Sequence, residues 1–125
     1  KDNDVAVLAY SPLVLGLLTG KVGPEREFPK SDLRSSQKRF SKGNRQKVAD
    51  LLSQFQPIAD KHSCSIAQLV IAWTVHQPGL THALVGARTP QQAKENAGAG
   101  RISLDAEDLA LMNGLVRSDA TDLDM

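Results

Sequence analysis

The 125 residues carry 15 lysines and arginines against 14 aspartates and glutamates, a formal net charge of +1, with 41% hydrophobic and 23% charged side chains. That balance suits a globular chain with one core, gives no long-range field for nucleic acid, and leaves no apolar run of membrane-spanning length. The single cysteine, Cys64, excludes an internal disulfide and a cysteine-rich metal site and fits a reducing cytoplasm.

The beginning, "KDNDVAVLAYSP", has too short an apolar run for a secretory signal. Residues 5–9, "VAVLA", form a continuous apolar run that predicts a parallel strand covered on both faces. Tyr10 and Ser11 then stand at its carboxyl end, and Pro12 predicts an extended exit at Ser11. "SPLVLGLLTGK" follows. Its Gly16 and Gly20 have only three residues between them and Lys21 precedes Val22, so it lacks both the length and the hydroxyl of a Walker loop.

Residues 22–45 are polar and predict a mobile loop. The basic cluster from Lys30 to Lys47 reads as a solvated loop or, less commonly, as one that folds over an anionic ligand.

From Gln46, the positions Val48, Leu51, Leu52, Phe55 and Ala59 fall at helical spacing as far as about Lys61, and Pro57 should kink or divide the helix near Ser53 to Gln56. Ser65 and Gln68 have capping-box spacing at the start of an apolar helix that Pro78 and Gly79 end. Ala83 to Val85 reads as a second short strand, and Gly86 as a place where the backbone passes close to something. Thr89 is then an N-cap, Pro90 suits the first helical position, Gln92 completes a second capping box, and Gly98 reads as the stop. A last helix runs from about Asp105 to Val116 with Leu109, Met112, Leu115 and Val116 on one side. The polar tail "RSDATDLDM" is expected to fray.

This order predicts an α/β fold with parallel strands joined by right-handed crossovers. Each strand is followed by a loop rich in glycine and hydroxyl residues, and the second opens into a capped helix whose free N–H groups attract anions. Arg88 stands just ahead of that helix and can fork onto a phosphate. His62, His76 and His82 lack the spacing of a helical metal pair, and Trp73 reads as core. Cys64 lies near a helix start, which by itself is weak ground for a reactive thiol.

"AYSPLVLGLLTGK" and "LVGARTPQQAKENAGA" resemble the two cofactor-binding signatures of the aldo-keto reductase family, in the branch of the potassium-channel beta subunits and the bacterial general reductases. "QPIADKHSCSIAQLVIAW" between them extends the resemblance over nearly the whole chain. It implies the carboxyl-terminal portion of a (β/α)8 barrel, with the last two parallel strands and their helices, and a chain that forms the cofactor-binding half over residues 1–125. By this resemblance Tyr10 stacks on the nicotinamide ring. Ser11, Pro12, Leu13 and Gly16 lie along the pyrophosphate, Lys21 ends that loop, and Arg34 is a second basic contact. Gly86, Arg88, Gln92, Glu95 and Asn96 surround the adenosine and its 2′-phosphate, and Arg88 favours NADP over NAD.

The family's hydride chemistry uses an aspartate, a tyrosine, a lysine and a histidine from earlier strands, and those motifs do not occur in this sequence. The resemblance therefore implies NADP-dependent reduction of a small aldehyde or ketone, with the other half of the same barrel as partner and no catalytic residue in this chain. A non-catalytic nucleotide-binding module and an inert piece of a barrel are the alternatives. Neither nucleic acid nor membrane is an expected partner, and a homo-oligomer is left open.

Overall fold

A computed structural model describes residues 3–119, 123 and 124. The helix α1, Lys42–Lys61, starts four residues before the expected Gln46, because the Ser41 side chain accepts from the Asn44 N–H and caps a first turn without apolar residues. Val48, Leu51, Leu52, Phe55, Ile58 and Ala59 form its buried face. Pro57 does not divide it. The single missing N–H lies one turn from the end, where burial of Ile58 and Ala59 holds the helical path.

The helix α2, Ile66–Val75, has both halves of the expected capping box: Ser65 Oγ accepts from Gln68 N at 3.2 Å, and Gln68 Oε1 accepts from Ser65 N at 3.1 Å. Most of its faces are buried, and the Trp73 indole donates to Asn113 Oδ1 at 2.9 Å on a later helix.

That later helix spans Ala106–Asp119, three residues beyond the expected end, and its first turn is held by Asp105, which accepts from Asp108 N at 2.8 Å. Its Met112 is fully buried, and Leu109, Leu115 and Val116 pack beside the same core. Residues 123 and 124 are tied back rather than frayed. Leu123 packs on the core, while the buried Asn44 accepts from Asp124 N at 3.0 Å and donates to its carbonyl at 2.9 Å. The expected fraying of 120–122 and 125 falls outside the described residues.

Two parallel strands, β1 (Leu8–Tyr10) and β2 (His82–Leu84), pair in the register Leu8 to His82, Ala9 to Ala83 and Tyr10 to Leu84. Pairing therefore starts later than the apolar run 5–9 and one residue earlier than Ala83. Thr81 fixes this frame, because Val7 N donates to its hydroxyl and the Thr81 and His82 N–H groups both converge on the Val7 carbonyl. The expected cover on both faces is not supplied by the described residues: Val5, Val7, Leu8 and Leu84 are all exposed.

Between β2 and the last helix lies the helix α3, Pro90–Gly98, continued by a 3-10 turn at Ala99–Arg101; in chain order the last helix, Ala106–Asp119, is α4. α3 ends at Gly98 as expected, but not through a left-handed glycine, since its φ is −58°. A Cβ there would come within 2.7 Å of Gln68 Nε2, so the glycine serves a close approach between α3 and α2.

The segment 22–45 contains two 3-10 turns, Leu33–Ser36 and Lys38–Phe40. Arg45 is buried beneath it, donating from Nε to the Phe40 carbonyl and from Nη1 to the carbonyls of Gly23 and Arg26. The basic cluster is thus partly paired and partly inside: Lys38 meets Asp124 and Lys42 meets Glu25, each at 3.0 Å.

Candidate functional site

The loop after β1 turns sharply. Ser11 has φ 54° rather than the extended value expected before Pro12, because the chain closes a turn in which Val14 N donates to the Ser11 carbonyl at 2.9 Å. Val14, Leu15 and Gly16 also have positive φ, a costly path for a β-branched and a leucine residue. Burial offsets that cost: Leu17 is 1% exposed and Val22 5%. These anchors explain the leucine-rich composition of the loop. Its end is held by Thr19, whose hydroxyl donates to the Gly16 carbonyl at 2.7 Å and accepts from Lys21 N at 3.2 Å.

The loop after β2 is pinned by α3. Thr89 caps the helix by accepting from Gln92 N at 3.1 Å, but the second half of the expected box is displaced by one residue. Gln92 Oε1 accepts from Arg88 N, at 2.8 Å, and not from Thr89 N. Asn96 Nδ2 donates to the Gly86 carbonyl at 3.1 Å, and a Cβ on Gly86 would meet nothing of this chain within 4 Å. The backbone at Gly86 therefore faces open space.

Between the two loops lies a cleft of about 790 Å³. Tyr10, Ser11, Pro12, Leu13, Gly16 and Lys21 line it from the first loop, Arg34 from the intervening segment, and Gly86, Arg88, Gln92, Glu95 and Asn96 from the second. All twelve residues singled out in the sequence thus face one space. The Tyr10 side chain stands in it almost fully free, at 87% exposure.

Four basic side chains, Lys21, Arg26, Arg34 and Arg88, line the cleft with two acidic ones, Asp32 and Glu95. Asp32 grips Arg34 through both carboxylate oxygens, from 2.6 to 3.2 Å, and accepts from the Arg34 backbone N–H. The Arg34 side chain, helped by its N–H and by the more distant charge of Arg88, holds the Asp32 carboxyl down to about 2, and Arg34 is pushed up in return. Arg34 also lies over the Phe28 ring, 4.5 Å from its centre. Glu95 faces Lys21 at 3.8 Å and accepts from the Ser65 hydroxyl at 2.9 Å. No hydrogen bond or ion pair among the described residues engages the Arg88 guanidinium. Asp32 and Arg26 escaped the sequence reading, which took Ser65 and Gln68 only as a helix cap. The spacing Asp32-Leu33-Arg34 carries a signal for the first, but nothing in the sequence relates α2 to Glu95.

The three histidines and Cys64 lie outside the cleft. His62 Nε2 meets the buried Asp108 at 2.7 Å, beside Lys61 at 2.8 Å from the same carboxyl group. Burial pushes the Cys64 thiol up, the reverse of what activation at a helix start requires. Among the described residues no group of three or more metal-ligating side chains converges, and no helix is long and apolar enough to cross a membrane.

The arrangement offers an accessible aromatic ring, a glycine with open space, a capped helix N-terminus and an uncommitted arginine along one groove. That set suits an elongated ligand with a flat ring and phosphate groups. A sequence model described as "Aldo/keto reductase family" matches residues 1–117. The chain is 36% identical over 118 residues to an NADH-specific methylglyoxal reductase of Escherichia coli (strain K12), covering 94% of this chain and 36% of that protein. It is 29% identical over 104 residues to the aldo-keto reductase yakc [NADP(+)] of Schizosaccharomyces pombe, covering 83% of this chain and 31% of that one. The glycerol dehydrogenase AKR11B4 of Gluconobacter oxydans matches in structure with a TM-score of 0.84 and 31% identity, over 99% of this chain and 38% of its own. The chain thus spans about a third of the length of these proteins.

Proposed function

Because the chain belongs to the aldo-keto reductase family and has the fold of part of its barrel, we propose that it is the nucleotide-binding, carboxyl-terminal part of an NADP-dependent carbonyl reductase. The observation that carries this reading is the convergence of both strand-end loops on one cleft with the Arg88 guanidinium uncommitted at the start of α3. The cofactor, when bound, supplies the hydride. Tyr10 stacks on the nicotinamide, and Ser11, Pro12, Leu13 and Gly16 border the pyrophosphate. Lys21 and Arg34 add charge. Gly86, Gln92, Glu95 and Asn96 take the adenosine side, with Arg88 on the 2′-phosphate.

The relatives named above include one NADH-specific protein and one marked NADP(+), so the preference for NADP rests on Arg88. An unphosphorylated ribose leaves that guanidinium without a hydrogen-bonding partner. Tyr10 is the only tyrosine in the sequence, and its stacking position leaves the proton donor to residues outside this chain. The substrate is a small aldehyde or ketone bound against those residues, in a cytoplasmic setting that suits one unpaired thiol. The exposed apolar side chains of β1 and β2 support the missing barrel strands as the partner that covers them.

The test is titration of the chain with NADPH and NADH, followed by nucleotide fluorescence. Saturable binding with NADPH preferred by at least tenfold is expected. Equal affinities remove the NADP assignment, and binding of neither removes the nucleotide-binding reading. Binding together with reductase activity of the chain alone overturns the division of labour.

A further inference from the structure

Glu95 enters the cleft from α3, but the groups that fix it belong to α2. Ser65 Oγ accepts from Gln68 N and at the same time donates to Glu95 Oε1 at 2.9 Å. Gln68 Oε1 accepts from Ser65 N, while its Nε2 donates to the Glu95 backbone carbonyl at 2.9 Å. Each capping residue therefore spends its second hydrogen-bonding group on the same glutamate. Gly98 leaves room for this contact, since a Cβ there would stand 2.7 Å from Nε2 and make the amide shift. Neither Ser65 nor Gln68 lines the cleft.

We propose that Ser65 and Gln68, with Gly98 making room, are positioning residues for nucleotide binding, which hold the Glu95 carboxylate in register with Lys21. The inference rests on the nucleotide-binding reading of the cleft. A helix cap alone needs only the acceptors on these side chains. The donors directed at Glu95 are additional, and they lock both the side chain and the backbone of one residue. With Oε1 held by Ser65, Oε2 is left facing Lys21 at 3.8 Å, so a ligand meets a carboxylate whose rotamer is already chosen.

Three substitutions separate positioning from capping. Ser65→Gly keeps a tolerated N-cap residue but removes the donor to Glu95, and Ser65→Thr keeps both roles. Gly98→Ala favours the helix while displacing Gln68 from the Glu95 carbonyl. NADPH is titrated into the whole chain and its variants, with thermal unfolding of each.

Ser65→Gly and Gly98→Ala are expected to weaken NADPH binding about five- to tenfold, the scale of one lost net hydrogen bond. Ser65→Thr binds as the parent does, and Gly98→Ala unfolds no earlier than the parent. Parental affinity in both Ser65→Gly and Gly98→Ala overturns the inference while the nucleotide-binding reading stands. A parent chain that binds neither NADPH nor NADH overturns both. Weakening in proportion to lost thermal stability assigns these residues to the fold alone and likewise overturns the inference.

Discussion

Lys21 and Glu95 bridge the cleft, with Nζ 3.8 Å from Oε2, so that the end of the first loop touches the helix that follows the second strand. The lysine is 69% exposed, and a contact of that kind contributes about 0–1 kcal/mol to stability. Lys21→Met should therefore leave thermal unfolding nearly unchanged. It should weaken NADPH binding about tenfold if the ammonium meets phosphate, as a charge-assisted bond does. Titration and unfolding of the same preparation check this, and a large drop in melting temperature with intact binding contradicts it.

The proposed preference for NADP rests on Arg88 meeting the 2′-phosphate. Arg88→Gln should lower NADPH affinity about 10- to 100-fold, the range for losing hydrogen bonds to a charged group, and change NADH affinity little. Parallel titrations decide; equal losses for the two nucleotides exclude recognition of the 2′-phosphate.

Tyr10 is so exposed that its ring contributes little to the fold, and Tyr10→Ala should shift stability by no more than about 0.5 kcal/mol. Loss of stacking should weaken NADPH about two- to tenfold, with Tyr10→Phe retaining affinity. A nucleotide lacking the nicotinamide, 2′-phospho-ADP-ribose, should bind the parent and Tyr10→Ala equally. If it discriminates between them, the ring meets some other part of the ligand.

Arg45 connects the core to the segment beneath which it lies, through three backbone carbonyls. Arg45→Met keeps much of the stem but none of the donors and should cost about 2–4 kcal/mol in urea unfolding. Arg45→Lys should recover only part of it, because one ammonium cannot reproduce the planar fork. Full recovery by lysine argues that charge alone matters there.

Acid should release the clip between Asp32 and Arg34. The Asp32 carboxyl is depressed from 3.8 to about 2, first by its hydrogen bond from the Arg34 side chain. A depressed carboxylate contributes stability that is complete above its unfolded value and is lost as pH falls through the folded one. The window therefore runs from about 4 down to about 2. Asp108 is also lowered. Burial raises it, but the hydrogen bonds from Lys61 and His62 outweigh that, so it adds to the acid sensitivity with the same sign. A carboxyl-carbon NMR titration of Asp32 checks the window. A midpoint at or above 3.8 rules out the paired geometry.

Local rules served well where the determinants were local. The Ser65 and Gln68 box, the Thr89 cap and the apolar stripe of α1 depend on residues within one or two turns, and the structure has all three. The strand frame depended on Thr81, whose partner Val7 is 74 residues away, and no periodicity contains that information. Gly98 shows the same limit. Its place at the end of a helix suggested a stop, while the reason for a glycine lies in Gln68 on another helix. In the cleft, the paired motifs named the lining residues by resemblance. The commitments of those residues to each other, Asp32 to Arg34 and Ser65 to Glu95, required the fold.

The long span between Val7 and Thr81 also bears on how the molecule assembles. Helices α1 and α2 form from neighbouring residues and bury most of the core, whereas β1 must find β2 across a loop whose closure entropy exceeds that of any local turn. The strand pair is short and exposed, so it should join last, and its Ala9 and Ala83 amides should exchange with solvent well before that of Leu69 in α2. The cleft exists only once those strands have met. A nucleotide held between both loops, as proposed, should act as a clasp on this 74-residue closure and so stabilise the late-joining strand pair.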